Sequence, residues 1–161
     1  MRLGAASSAD LGFIRALVQR PDMQTTVTDE DDAALARYLG DTSSRVLIWG
    51  MDSPRGFAIF CDVDAPSGTV LLLRLALVQP GQGEGAAFLR ALVNYAFDEL
   101  QANRIWLDTS ASNLCAQKAY QRAGFILEGR LRQHEFLPTT GTRDDTLLYG
   151  IMRDEWPAQR G

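Results

Sequence analysis

An almost unbroken apolar run from Val70 to Val78, a glycine-rich turn and then an amphipathic helix constrain this chain more than any other feature. Arg74 is the one polar residue in the run, which suits a central strand covered on both faces. Beyond the turn, Leu89, Leu92, Val93, Ala96, Phe97 and Leu100 recur at helical spacing, with Arg90, Asn94, Asp98 and Gln101 on the other side. Gly81, Gly83 and Gly85 let the backbone turn sharply and approach a ligand without a Cβ in the way. The first amides of the following helix have no intrahelical acceptor, so they attract an anion, helped by the helix dipole. This is how a chain builds a site for a phosphorylated cofactor; an ordinary strand-to-helix turn is the plain alternative.

With 161 residues, 46% of them hydrophobic, the chain is expected to form one domain over 1–161 and to bury a core without metal or disulfide support. A net charge of -4 and the lack of a Lys/Arg cluster argue against nucleic acid as a partner. Cys61 and Cys115 lie far apart with no paired spacing, and His134 is the single histidine, so neither a disulfide framework nor a histidine-based metal cluster is expected. No apolar run approaches the roughly 20 residues that span a bilayer. Asp10 and Arg15 interrupt the first segment, which does not read as a signal peptide. A soluble cytoplasmic protein is the expectation.

The periodicity predicts an edge strand over 2–6 and a helix from residue 8 with Leu11, Ile14, Leu17 and Val18 inward, ending by Pro21. Thr28 reads as the N-cap of a second helix, with Asp31 completing a capping box and Gly40 as its stop. The acidic run Asp29, Glu30, Asp31 and Asp32 fits a helix N-terminus; attraction of a cationic substrate is its functional alternative. Strands are predicted over 45–49, 56–62, 70–78 and 104–108, and a helix over 112–123, buried through Ala116, Ala119, Tyr120 and Ala123 and capped by Gly124. Two long strands, 125–137 and 146–152, finish the chain, separated by a loop over 138–144. The order implies a mixed sheet in which only the strands around the glycine turn must be parallel.

Gly81, Gly83 and Ala86 also satisfy G-x-G-x-x-A, with Asp108 ending the next strand. A dinucleotide fold opens with its glycine turn, however, whereas here the turn sits mid-chain with antiparallel pairs on both sides. A second constellation decides between them. Asn113 opens a helix, Ala116 and Tyr120 follow at helical spacing, and Gly124-Phe125 begins the next strand. Together with Gln82-Gly-Glu-Gly85-Ala-Ala87, which fits Q/R-x-x-G-x-G/A, the chain resembles the GNAT acetyltransferase superfamily. The segments 127–132 and 143–156 are similar to the branch that acetylates ribosomal-protein N-termini and small amines.

That resemblance implies an α+β fold: a mostly antiparallel, twisted seven-stranded sheet with a central splayed parallel pair, flanked by about four helices. It implies acetyl-CoA as cosubstrate, with no metal, and a primary amine as acceptor, either a protein N-terminus or a small amine. Main-chain groups of Leu77 and Val78 would bond the pantetheine arm. Amides of Gln82, Gly83, Glu84, Gly85, Ala86 and Ala87 would hold the pyrophosphate, with the Glu84 side chain turned away into water. The Val78-to-Gln82 spacing is one residue tighter than the family pattern. Asn113 and Ala116 would contribute to the cofactor site, Asn113 having a plain helix-cap role as its alternative. Tyr120 would protonate the departing thiolate, or else be a core aromatic.

The general base stays open among Asp108, His134, Glu135 and Asp145, because the central strand offers only Arg74 where relatives often carry a glutamate. Asp145 has hairpin stabilisation as its alternative. Lys118 reads as solvent-exposed, and Cys115 has no histidine near it to activate it as a nucleophile. An exposed edge strand near the C-terminus is compatible with a homodimer. An acyl-CoA-binding module without turnover is the other reading of the same residues.

Overall fold

The computed structural model describes residues 1–23 and 30–159, with side chains to Trp156. Among the described residues, seven strands form one sheet in the order β1-β2-β3-β4-β5-β7-β6, accompanied by four α-helices. The strands are β1 (Arg2–Ala5), β2 (Arg45–Gly50), β3 (Pro54–Cys61), β4 (Thr69–Leu77), β5 (Arg104–Ser110), β6 (Ile126–Leu137) and β7 (Thr142–Met152). The helices are α1 (Leu11–Val18), α2 (Asp32–Gly40), α3 (Glu84–Asp98) and α4 (Leu114–Arg122). Every strand pair is antiparallel except β4 with β5, joined by the crossover through α3.

That parallel pair is short. It runs through Thr69 with Arg104, Val70 with Ile105 and Leu71 with Trp106, and no pairing continues beyond that among the described residues. The cause lies one residue further on. β4 pairs with β3 at Leu72 opposite Phe60 and at Arg74 opposite Ile59, so Leu73 is an extra residue. A bulge bends the strand that carries it, and residues 72–77 diverge from 107–110 to leave a gap in the middle of the sheet.

Two apolar layers cover the sheet. On one face Phe88, Leu89, Leu92, Val93, Ala96 and Phe97 of α3 pack with Leu72, Ile105, Leu107, Tyr120 and Tyr149. On the other, Ile14, Leu17 and Val18 of α1 and Leu35 of α2 pack with Val46, Phe57, Ile59 and Ala76. Both helix stripes follow the apolar spacing of the sequence.

Several boundaries differ from the sequence reading. Thr28 and Asp29 lie outside the described residues, and α2 is capped by Asp31, whose side chain accepts the Ala34 N–H at 2.8 Å. Asp32 pairs with Arg15 at 2.8 Å and Glu30 with Arg74 at 3.4 Å, so three members of the acidic run serve the fold. α4 starts at Leu114, because Asn113 is its cap, and Ala119 is exposed, leaving Tyr120 as the helix's buried residue. β7 begins at Thr142, which shortens the loop expected over 138–144.

Candidate active site

The glycine turn lies at the end of the gap. Gly81 and Gly83 have φ of +88° and +81°, left-handed values that cost a side-chain-bearing residue about 1–2 kcal/mol. Gly83 is the N-cap of α3 and has no side chain to satisfy the helix start. The amides of residues 84–87 are therefore left for a ligand or water. A Cβ built on Gly85 meets only Leu77 Cδ1, at 3.9 Å, so the space over the first turn is open. Open space lined by unpaired N–H groups fits the pyrophosphate of a CoA thioester.

Glu84 does not point into water. Its Oε1 accepts the Trp49 Nε1–H at 2.8 Å and the Arg55 Nε–H at 2.9 Å, and its Oε2 accepts from Arg55 Nη2 at 2.7 Å. The Arg55 guanidinium holds this carboxyl below the usual range. The sequence reading missed this because the partners lie on β2 and β3, far from the turn in the chain.

The end of β4 presents one residue to the gap and closes the next. Val78 donates its N–H to the Arg55 carbonyl at 2.7 Å, and its own carbonyl accepts from Arg20 Nη1 at 2.6 Å. Both Val78 groups are thus engaged within the chain. The alternation of an antiparallel ladder turns the N–H and C=O of Leu77, opposite Gly56, to the other edge of β4. That edge faces the gap.

On the far side of the gap stands α4. The Asn113 Oδ1 accepts the Ala116 N–H at 3.2 Å, which is the capping role, while its side-chain nitrogen has no partner among the described residues. The helix ends in a Schellman motif: Gly124, at φ +94°, donates to the Gln121 carbonyl and Phe125 to the Tyr120 carbonyl at 3.0 Å. The ring contact that accompanies this motif joins Tyr120 to Phe125, with centroids 6.1 Å apart, and Tyr149 meets Tyr120 edge-on at 5.8 Å. Tyr120 is 7% exposed, and its hydroxyl has no hydrogen-bond partner among the described residues. Burial, with Asp108 adding to it, pushes the phenol well above its ordinary value, so it keeps its proton at neutral pH. Lys118 and Cys115 are exposed on the same helix.

The acidic candidates separate clearly. Asp145, on β7, lies opposite an excursion of β6 in which Arg132, Gln133 and His134 have no partners on β7. Its Oδ1 accepts the Gln133 N–H at 2.7 Å and its Oδ2 the Arg130 Nε–H at 2.5 Å, which hold it below the usual carboxylate range. That is the hairpin-stabilising role. Glu135 contacts the Ser110 hydroxyl, and His134 is exposed. Asp108 alone has no hydrogen-bond partner among the described residues, and desolvation by the atoms packed around it raises its carboxyl although part of the side chain meets solvent. Arg74 opposes that rise, while Glu135 adds to it. Beside Arg74 and Glu30, a cavity of about 10 Å³ is the size of one water, too small for an acceptor amine.

Residues 1–126 match the family described as the acetyltransferase (GNAT) domain. The chain belongs to the GNAT acetyltransferase family. Over 80 residues it is 31% identical to the Bacillus subtilis (strain 168) protein named "Putative ribosomal N-acetyltransferase YdaF", covering 50% of this chain and 43% of that protein. Over 51 residues it is 41% identical to aminoglycoside N(6')-acetyltransferase type 1 of Klebsiella pneumoniae, covering 32% of this chain and 25% of that one. The matched stretches span less than half of either relative. The fold is similar to that of the Vibrio cholerae spermidine N-acetyltransferase solved in complex with CoA and spermine, with a TM-score of 0.85 and 17% identity over 96% of each chain. A dodecameric structure of spermidine N-acetyltransferase from the same organism gives 0.80 and 18%, over 96% of this chain and 94% of that one.

Proposed function

We propose that this chain transfers the acetyl group of acetyl-CoA directly to a primary amine. The observation that best supports it is the gap itself: β4 and β5 pair over three residues, part at a bulge, and open beside a helix start with unpaired amides. Leu77 main-chain groups would bond the pantetheine arm, residues 82–87 would hold the pyrophosphate, and Asn113 and Ala116 would line the cofactor from α4.

An alkyl amine has a pKa near 10.4, so at pH 7 only about one molecule in a few thousand is neutral. Asp108 is the residue we assign to accept its proton, directly or through a water. As the carbon–nitrogen bond forms and the carbon–sulfur bond breaks, the electron pair goes to sulfur and the Tyr120 hydroxyl donates to it. A phenol above its ordinary value is a weaker acid than a thiol near 8.5 by about 2 kcal/mol or more. Tyr120 therefore acts first as a hydrogen-bond donor, and its proton follows as charge collects on sulfur.

Asp108 and Glu135 favour a cationic acceptor. Spermidine, aminoglycosides and ribosomal proteins, the acceptors in the relatives' names, all present amines, and we infer a protein N-terminus or a small amine here. A second copy of the chain pairing along β6, where Ile126, Leu127, Leu131 and Phe136 are exposed, would cover that edge. Two free cysteines suit a reducing compartment such as the cytoplasm. Free-thiol release from acetyl-CoA over a panel of amines tests the activity. Acceleration by at least one amine supports it; cofactor binding with no acceleration by any would leave an acyl-CoA-binding module.

A further inference from the structure

The glycine turn carries an acid where the ligand is anionic. A carboxylate on the first residue of a helix is favoured by the helix end, yet it repels a pyrophosphate bound to the same amides. Glu84 resolves the conflict through two residues outside the turn. Arg55 grips it with Nε and Nη2 at 2.9 and 2.7 Å, a two-point pairing that fixes orientation as well as charge. Trp49, 4% exposed and 5.5 Å from the Phe88 ring, presents its indole N–H from a position set by the core. The Arg55 carbonyl also accepts the Val78 N–H. One residue of β3 is thereby joined to both ends of the turn, to the strand by its main chain and to the helix by its guanidinium.

We propose that Arg55 is a positioning residue for acetyl-CoA: with Trp49 it draws the Glu84 carboxylate, neutralised, off the start of α3, so that amides 84–87 meet the pyrophosphate without a competing charge. Arg55 acts through Glu84 and not on the ligand. This rests on the cofactor reading given above.

The test compares affinity for acetyl-CoA with that for S-acetylpantetheine, which has no phosphate, in the wild type, Arg55→Met, Glu84→Gln and the double variant. Arg55→Met is expected to weaken acetyl-CoA about tenfold, more at low salt than at high, because a freed carboxylate then faces the phosphates. Turnover at saturating acetyl-CoA and affinity for S-acetylpantetheine stay at wild-type values. Adding Glu84→Gln to Arg55→Met restores the affinity. Three results overturn the proposal: an unchanged affinity in Arg55→Met, a double variant as weak as the single, or an equal loss for S-acetylpantetheine. If Arg55→Met does not fold, Arg55→Gln takes its place: acetyl-CoA affinity falls while S-acetylpantetheine affinity does not, adding Glu84→Gln restores it, and an unchanged affinity or a failed rescue overturns the proposal. A separate control reads the cofactor site itself: Gly85→Asp, whose new side chain projects into open space, abolishes acetyl-CoA binding if the phosphates lie there. Retained binding in Gly85→Asp removes the site and the proposal together, whereas loss there with an unaffected Arg55→Met removes the proposal alone.

Discussion

Tyr120 and Asp108 lie on opposite faces of the sheet. Tyr120 is packed in the layer formed with α3. Asp108 alternates along β5 with Ile105 and Leu107, which belong to that layer, and so projects to the other side. The charge of Asp108 nevertheless contributes to the rise of the phenol. In the proposed reaction Tyr120 donates a proton and Asp108 accepts one, from the two sides of the thioester.

Tyr120→Phe is expected to lower kcat about 10²-fold or more, the usual worth of a positioned acid, with little change in acetyl-CoA affinity. Because the hydroxyl has no partner among the described residues, Tm should stay the same or rise slightly. Steady-state kinetics and a melting curve check both; equal losses in kcat and affinity would make Tyr120 a packing residue.

Asp108→Asn carries a double signature. Its carboxyl is raised in the fold, so ionisation opposes folding: the contribution is most favourable below the unfolded value and is lost as pH rises through the raised one. The variant should be more stable than the wild type at pH 7 and should have a lower kcat. A variant less stable at pH 7 would show that Asp108 serves the fold.

Gly124→Ala tests how Tyr120 is positioned. A Cβ at φ +94° costs about 1–2 kcal/mol and strains the Schellman turn that fixes Tyr120 to Phe125. Denaturant unfolding should show that loss, with a fall in kcat exceeding any change in acetyl-CoA affinity. Wild-type stability would contradict the motif's role.

Acid should weaken the hairpin of β6 and β7. Asp145 is depressed by the Gln133 N–H and Arg130, so its contribution is present above its unfolded value near 4 and is lost as pH falls through the lower folded one. Asp144, bonded to the Ser112 N–H, behaves likewise. The melting temperature should be level above about pH 5 and drop below about pH 4. Asp145→Asn should flatten that drop; an identical acid limb in the variant would contradict the assignment.

The parts of the site that were legible in the sequence are those built from neighbouring residues. The apolar run of β4, the glycines before α3, the cap at Asn113 and the helical spacing to Tyr120 are local patterns, and the structure contains all of them. The parts that were not legible depend on register and distance in the chain. No glycine or proline marks the bulge at Leu73, which exists only in the pairing with β3. Gln133 has φ +49° because Asp145 holds its N–H, not because of its own side chain. The pairs Arg55 with Glu84 and Arg74 with Glu30 join residues that only the folded sheet brings together. For the same reason sequence alone leaves three acids and His134 as equal candidates for the base.

The central claim is that the divergence of β4 and β5 receives a CoA thioester whose phosphates rest on the start of α3. A crystal structure with CoA bound tests it most directly. Pyrophosphate oxygens are expected on the amides of residues 82–87, with the pantetheine arm beside Leu77 and its sulfur next to the Tyr120 hydroxyl. CoA bound elsewhere with that turn bare, or a thiol end remote from Tyr120, would contradict it.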